Sequence, residues 1–248
     1  MKVGLYFGTF NPIHVGHLII ANYMAEMTDM DEVWLVVSPH NPLKKKHTLL
    51  ADYHRLALVK EGIYNNSKLK VSDIEFKLPI PSYTTTTLAY LKEKHPEHIF
   101  SLIMGEDNLR TLHKWKNYEA LLQAHQIYVY PRAITEAENA EGSKKGTSID
   151  FKEHTNVHFC EDVPVMKISS SFIRDQIKNG KDVEYLLTEP VLKYRKLGYA
   201  TVKSSRFQIN RPQLSLGMVA KRQRLPMQEQ STLCLRSFLR QTAVSAPE

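Results

Sequence analysis

Two histidines near the start of the chain have the spacing of a phosphate-binding pair. His14 and His17 lie in the stretch LYFGTFNPIHVGH, residues 5–17. We expect a helix to begin near His14, so the two imidazoles should share one face of its first turn. Unpaired backbone N–H groups and the positive end of the helix dipole point the same way, and Gly16 leaves room for a ligand to approach. This combination favours a polyphosphate site over two unrelated histidines.

A second group of polar residues is ISSSFIR at 168–174. Ser169, Ser170 and Ser171 offer hydroxyls and backbone N–H groups at the predicted start of a helix, and Arg174 follows one turn later. Arginine can bind phosphate oxygens through two parallel hydrogen bonds. A simple helix cap would also explain the serines. However, a position after the last predicted strand would bring them beside the histidines in a doubly wound sheet, which favours one shared site.

A third group combines SYTTTT at 82–87 with GEDNLRTLHKW at 105–115. Asp107 follows a predicted strand, where its carboxylate could accept hydrogen bonds from ribose hydroxyls or cap the next helix. Trp115 lies at a break between two predicted helices, where its ring could stack on an aromatic ligand or pack between the helices. The residues themselves leave both alternatives open.

Apolar runs and amphipathic segments predict the elements that position these groups. We expect buried strands at 3–7, 32–38, 70–74, 99–105, 126–131 and 157–160, with helices between most of them. Ser82 or Thr84 should cap the helix that follows SYT. Strands that alternate with helices predict an α/β fold with a doubly wound parallel sheet, in which ligands bind at the carboxyl ends of the strands.

Composition predicts one globular domain followed by a basic extension. The chain has 248 residues and a net charge of +7. From residue 203 on, eight lysines and arginines face only two glutamates, so this segment carries +6 of that charge. We predict a sheet domain at 1–200 and a poorly structured or weakly helical tail at 201–248. Two distant cysteines and the lack of a long apolar run favour a cytoplasmic protein without a membrane span.

The motifs resemble those of a known family. HxGH after GTFxP is similar to the signature of the nucleotidyltransferase superfamily, and GTFNPIHVGH is similar to that of its nicotinate-mononucleotide adenylyltransferase branch. ISSSFIR resembles the branch's ISSTxIR, with Ser171 in the place of threonine. SYT at 82–84, GEDNL at 105–109 and Trp115 resemble its nucleotide pocket. The resemblance spans about residues 1–197 and does not include the tail.

The resemblance implies a Rossmann-like fold and adenylyl transfer from ATP to nicotinate mononucleotide, which gives deamido-NAD and pyrophosphate. It implies that His14, His17 and Arg174 are catalytic and bring positive charge to the leaving pyrophosphate. The ATP-binding residues that it implies are Gly8, Thr9, Phe10, His14, Gly16, His17, Ile168, Ser169, Ser170, Ile173 and Arg174. The mononucleotide would contact Thr84, Asp107, Trp115, Arg132 and Lys44, the first residue of the lysine run 44–46.

The implied cofactor is Mg²⁺ bound through ATP phosphates, without a metal site made by the protein alone. The resemblance leaves oligomeric state open. One alternative is an enzyme of the same superfamily with another acceptor, either nicotinamide mononucleotide or phosphopantetheine. Another is a nucleic-acid or acidic-surface binder that acts through the tail. The tail has only two aromatic residues, Phe207 and Phe238, which argues against base stacking.

Overall fold

The computed structural model describes residues 1–39, 49–132, 151 and 153–198. Six parallel strands form one sheet in the order β3-β2-β1-β4-β5-β6: β1 (Lys2–Gly8), β2 (Glu32–Val37), β3 (Leu69–Ser72), β4 (Ile99–Gly105), β5 (Ile127–Tyr130) and β6 (Val157–Phe159). The helices are α1 (Val15–Met27), α2 (Asp52–Gly62), α3 (Thr84–Lys94), α4 (Glu106–Arg110), α5 (Tyr118–Ala124), α6 (Ser170–Lys178) and α7 (Glu189–Gly198). Single 3₁₀ turns occupy Ile74–Lys77, Leu112–Lys114 and Glu184–Leu186. This confirms the predicted doubly wound α/β fold.

Helices cover both faces of the sheet, which explains why its strands are almost continuously apolar. Successive side chains of a strand point to opposite faces. On β1, Val3 and Leu5 pack in one core cluster with Leu88 of α3, whereas Tyr6 packs in the other cluster with Met24 of α1. The central strand is therefore buried on both sides.

The order of the strands reverses on either side of β1. From β1 the chain moves outward through β2 and β3, then returns to β4 and continues outward on the other side. Parallel sheets of this kind bind ligands at the switch point, in the crevice beyond the carboxyl ends of the two central strands. Here those ends are Gly8 of β1 and Gly105 of β4. All three predicted groups of polar residues must therefore converge here if they form one site.

Two local predictions were wrong. Neither Ser82 nor Thr84 caps α3: the N-cap residue is Tyr83, and it makes no side-chain capping bond. The strand predicted at 70–74 ends at Ser72. The Ser72 hydroxyl accepts a hydrogen bond from the Ile74 N–H at 3.4 Å, and Ile74 then begins a 3₁₀ turn.

The lysine run 44–46 and the predicted tail at 201–248 lie outside the described residues. The domain boundary near residue 200 remains a prediction. None of the described helices is long and apolar enough to cross a membrane.

Removal of the tail should leave the fold and the activity intact. The described strands and helices end at Gly198, and every predicted site residue comes before residue 175. A chain that ends at Ser204 should have a Tm within a few degrees of that of the full chain. Its kcat/KM for the adenylyl transfer that the motifs imply should stay within about twofold, a change in activation free energy of ~0.5 kcal/mol or less. Thermal melts and initial rates check this, and a truncated chain that unfolds or loses activity would contradict it.

Candidate active site

The turn after β1 is built around a buried aromatic ring. Phe10 has a φ of 44°, which is unusual for a residue other than glycine, and its side chain is 2% exposed. Its ring makes edge contacts with Tyr6 and His17, at centroid distances of 5.8 and 5.1 Å. A Cβ atom at Gly8 would lie 2.8 Å from the Phe10 ring, so this packing needs glycine there. The buried Phe10 ring therefore positions the turn.

The two histidines stack at the N-terminus of α1. His14 is the N-cap residue, and its ring lies 3.7 Å from that of His17 between centroids. The backbone N–H of His14 donates a hydrogen bond to Nδ1 of His17 at 3.3 Å. Because a backbone N–H can only donate, Nδ1 carries the lone pair and Nε2 carries the proton. This hydrogen bond fixes the tautomer of His17 that carries its proton on Nε2.

His14 occupies the space beside Gly16 that we expected to be open to a ligand. A Cβ atom at Gly16 would lie 3.0 Å from Nδ1 of His14, so glycine makes room for the imidazole. The His14 side chain is 4% exposed, and its Nδ1 atom has no hydrogen-bond partner among the described residues. A buried polar atom of this kind at a helix N-terminus is suited to a ligand.

The environment of His14 disfavours its charged form. Burial, together with the positive charge of Arg132, lowers the pKa of His14 to about 4. At pH 7 the imidazole is therefore neutral in the free protein, whereas the sequence led us to expect a positive charge. A neutral imidazole still donates one hydrogen bond to a phosphate oxygen.

This shift makes stability depend on pH. The ordinary histidine pKa of 6.5 lies above the folded value of about 4, so between them the unfolded chain binds more protons than the folded one. The neutral His14 imidazole therefore contributes to the free energy of unfolding above about pH 6.5, and this contribution is lost as pH falls towards 4. At about pH 5 the folded protein has lost ~2 kcal/mol of this stabilisation.

Urea unfolding at about pH 7.5 and 5 measures this contribution. The wild type should lose ~2 kcal/mol more of its unfolding free energy than His14→Gln, which has no imidazole to protonate. Equal losses in the two proteins would show that His14 titrates normally.

The ISSSFIR motif packs directly against the GTFNPIHVGH motif. Ser169 caps α6 by accepting a hydrogen bond from the Phe172 N–H at 3.1 Å. The Ser170 hydroxyl donates to the Pro12 carbonyl at 2.9 Å. Arg174 donates to the Asn11 carbonyl at 2.8 Å. The N-terminus of α6 is therefore held against the GTFNP turn, next to the N-terminus of α1.

The two isoleucines of ISSSFIR pack α6 against the apolar core. Ile173 is fully buried in the core cluster that contains Phe10 and Ile13, and Ile168 packs against the same cluster. Both side chains lie among apolar groups. They anchor α6 rather than offer polar contacts to a ligand.

An ion pair lies beyond the carboxyl ends of β4 and β5. Arg132 donates to Oδ2 of Asp107. The other carboxylate oxygen of Asp107, Oδ1, is buried and has no hydrogen-bond partner in the described part of the chain. Asp107 does not cap α4, whose N-cap residue is Gly105. An acceptor atom with unused capacity at this edge is suited to a hydroxyl donor.

Two tyrosines that the sequence analysis missed lie beside this ion pair: Tyr6, which is buried, and Tyr130, which is partly buried. The hydroxyls of Tyr6 and Tyr130 are 3.2 Å apart. Burial raises the pKa of both tyrosines, so they stay protonated at neutral pH. A signal was available, because each tyrosine lies near the carboxyl end of an apolar strand. Tyr6 also contacts His17 edge-on, with a centroid distance of 6.2 Å, and so connects the two polar groups.

The two parts of the third group are neighbours. The ammonium of Lys116 lies 4.6 Å from the centroid of the Tyr83 ring, which places the start of α3 beside the segment after α4. Thr84 is the first residue of α3 and is partly exposed. Trp115 is also partly exposed and packs against the core cluster on the α3 face. Its ring therefore has a structural role and also retains some accessible surface.

Arg55 is the largest omission of the sequence analysis. Its side chain is completely buried. Its guanidinium donates to four backbone carbonyls at 2.6–3.1 Å, those of Thr9, Ser38, Pro39 and Leu50. It thereby ties the turn after β1 to the end of β2 and the start of α2. Arginine is usually exposed, so residue type gave no signal of this role.

Comparisons with known proteins agree with this geometry. A cytidylyltransferase-like family model matches residues 5–176. A probable nicotinate-nucleotide adenylyltransferase of Flavobacterium johnsoniae is 59% identical over 194 residues, which cover 78% of this chain and 95% of the relative. A relative of the same name from Christiangramia forsetii is 53% identical over 193 residues, or 78% and 94% of the two chains.

The solved structure of Plasmodium falciparum nicotinic acid mononucleotide adenylyltransferase complexed with NaAD is similar in fold. Its TM-score is 0.59 at 18% identity, and the match covers 79% of this chain and 95% of that one. The sequence relatives match this chain over nearly their whole length, and the solved structure shares its fold. The chain therefore belongs to the nicotinate-nucleotide adenylyltransferase family of cytidylyltransferase-like proteins.

Proposed function

We propose that this chain transfers the adenylyl group of ATP to nicotinate mononucleotide, giving deamido-NAD and pyrophosphate. The observation that carries this proposal is the union of two signatures at the carboxyl end of β1. There Ser170 and Arg174 bind the backbone of the turn that leads into the histidine pair. Two helix N-termini and several nitrogen donors then face one crevice, which suits a triphosphate.

The residues around this crevice divide into donors for phosphate and groups that hold the turn. His17 offers Nε2–H, and His14 offers a neutral imidazole. Among the described residues, Arg174 donates one hydrogen bond to Asn11 and one to Ser171, and its other N–H groups can bind phosphate oxygens. Gly8, Thr9, Gly16 and the serines contribute backbone N–H groups. Phe10, Ile168 and Ile173 provide packing.

The mononucleotide lies at the other side of the crevice in this proposal. Oδ1 of Asp107 accepts a hydrogen bond from a ribose hydroxyl, because this oxygen is buried and lacks a partner among the described residues. Arg132 is already paired with this carboxylate and extends positive charge towards the mononucleotide phosphate. Trp115 and Thr84 contact the pyridine ring and its carboxylate. Lys44, which lies outside the described residues, is proposed as a further phosphate contact.

The reaction needs positioning more than proton transfer. The second pKa of a phosphate monoester is about 6, so the attacking oxygen is largely ionised at pH 7 and requires no general base. This oxygen attacks the α-phosphorus of ATP in line; a new P–O bond forms and the bond to pyrophosphate breaks. The donors around the histidine pair stabilise the charge that develops on pyrophosphate.

A divalent cation fits this site only through the substrate. The described residues around the crevice supply imidazoles, a guanidinium and a carboxylate that is already paired with Arg132, and these do not form an oxygen cage. We propose that Mg²⁺ is held by ATP phosphate oxygens and water, where it neutralises phosphate charge. The protein's own donors orient the phosphates.

Acceptor choice tests the proposed pocket. The Thr84 hydroxyl and the N–H groups at the start of α3 can donate to a nicotinate carboxylate, and no acidic side chain occurs in SYTTTT to repel it. We expect kcat/KM for nicotinate mononucleotide to exceed that for nicotinamide mononucleotide by about tenfold or more, ~1.4 kcal/mol.

Initial rates of pyrophosphate release with ATP and each acceptor give this comparison, with phosphopantetheine as a third acceptor. Trp115→Ala should weaken the binding of both pyridine nucleotides to the same extent, since stacking does not distinguish an acid from an amide. Equal rates with the acid and the amide would contradict the proposed pocket, and faster turnover of phosphopantetheine would assign another reaction.

A further inference from the structure

Three potential metal ligands meet in the turn between α3 and β4. Nδ1 of His98 lies 3.3 Å from Oε1 of Glu97, and Nδ1 of His95 lies 3.9 Å from the same oxygen. One ligand atom from each residue lies within 4.8 Å of the others. This turn leads into the amino end of β4, whereas the proposed active site lies beyond its carboxyl end.

The backbone and the surrounding aromatic rings hold the two imidazoles in place. The His98 N–H donates to the His95 carbonyl at 3.1 Å, which closes the turn. Both rings make edge contacts with the Trp34 indole, at centroid distances of 5.5 Å for His95 and 6.0 Å for His98. His98 also contacts Phe100 at 5.9 Å. The two imidazoles therefore face the carboxylate without a large loss of side-chain freedom on binding.

One of these ligand atoms is not satisfied by any residue that the structure describes. Nδ1 of His98 is buried and has no hydrogen-bond partner among the described residues. The Glu97 oxygen at 3.3 Å is near enough for a charge interaction but forms no hydrogen bond with it. Buried polar atoms are normally paired, and a bound ion is one explanation for an atom that is not.

We propose that His95, Glu97 and His98 bind a divalent late transition metal ion such as Zn²⁺. Tetrahedral zinc with bonds of about 2.0–2.2 Å to nitrogen and oxygen separates its ligand atoms by ~3.3–3.5 Å. The pair formed by His98 and Glu97 already has this separation. The separation between the Glu97 oxygen and Nδ1 of His95 has to shorten by about 0.5 Å, and the Glu97 side chain is 63% exposed and can rotate to do this. Water takes the fourth position.

The donor set selects the class of ion. Two imidazoles with one carboxylate suit zinc, cobalt or nickel, whereas Mg²⁺ prefers oxygen ligands. Mg²⁺ with ATP therefore does not compete at this turn. The ammonium of Lys92 donates to the Pro96 and His98 carbonyls. It fixes the turn, but its positive charge opposes a cation, so we expect micromolar rather than tighter affinity.

Isothermal titration of the full-length protein with Zn²⁺, in the presence of Mg²⁺, tests the proposal. Wild type should bind one ion per chain with micromolar affinity, and Glu97→Gln and His98→Asn should each weaken this binding by about tenfold or more. Glu97 is largely exposed, so its replacement is safe for folding. His158→Gln removes a different exposed imidazole and should bind Zn²⁺ as the wild type does.

Fluorescence locates the ion independently. Co²⁺ should quench Trp34 in the wild type, and this signal should disappear in Trp34→Phe while the calorimetric Zn²⁺ affinity stays unchanged. Zn²⁺ binding that persists in both Glu97→Gln and His98→Asn would overturn the proposal. Loss of binding in His17→Ala instead would assign the ion to the active-site histidines and would also overturn it.

Discussion

Replacement of His17 with alanine should lower kcat for deamido-NAD synthesis by about 100-fold or more, the scale of losing one preorganised donor at a developing charge. The hydrogen bond from the His14 N–H to Nδ1 holds this ring in the tautomer with its proton on Nε2, the atom that we propose donates to the leaving pyrophosphate. Stacking on His14 and the edge contact with Phe10 fix its orientation. Because these contacts exist before ATP binds, the donor needs no rearrangement during the reaction.

His17→Gln is the matched variant, since its amide N–H can reach towards the position of Nε2–H and should recover part of the lost rate. Steady-state kinetics with saturating substrates measure both variants, and urea unfolding checks that their stability matches that of the wild type. A His17→Ala enzyme that keeps nearly the wild-type kcat would show that the histidine pair is not at the reacting phosphates.

The largest effect on stability should come from Arg55→Met. Methionine fills similar apolar space but donates nothing, so the carbonyls of Thr9, Ser38 and Pro39 would be left buried without this donor. Removal of one partner from a buried charged network costs about 3–5 kcal/mol. For a domain of this size we expect Tm to fall by ~10 °C.

Asp52→Asn separates the charge contribution from the carbonyl contacts. Asp52 forms an ion pair with Arg55, but its side chain is 48% exposed. Loss of this exposed partner should cost about 1 kcal/mol or less. Arg55→Lys should be intermediate, because one ammonium cannot reach all the carbonyls. If Arg55→Met and Asp52→Asn proved equally stable, the carbonyl contacts would not be what holds the turn.

The predictable part of the fold rests on local patterns. The strand expected at 99–105 matches β4, because an apolar run with a terminal glycine has only one good boundary. α1 begins at Val15 as expected, since the proline and the N-terminal histidines leave little choice. The serine cap of α6 was also predictable from residue type. The doubly wound parallel sheet was predictable from the alternation of strands and helices.

The unpredicted part depends on contacts between distant segments. Nothing local indicates that Arg55 binds the Thr9 carbonyl, 46 residues away. The meeting of Tyr6 with Tyr130 likewise requires the sheet to form first. His14 was correctly assigned to the helix start, but its low pKa arises from burial and from Arg132, which the sequence places far away.

The products formed from ATP and nicotinate mononucleotide test the central claim most directly. The purified full-length protein with Mg²⁺ should yield deamido-NAD and pyrophosphate in equal amounts, identified by liquid chromatography and mass spectrometry, because the acceptor phosphate attacks the α-phosphorus. His17→Ala under the same conditions should form both at a much lower rate. Release of ADP, which reports attack at the γ-phosphorus, or no product from nicotinate mononucleotide would contradict the account.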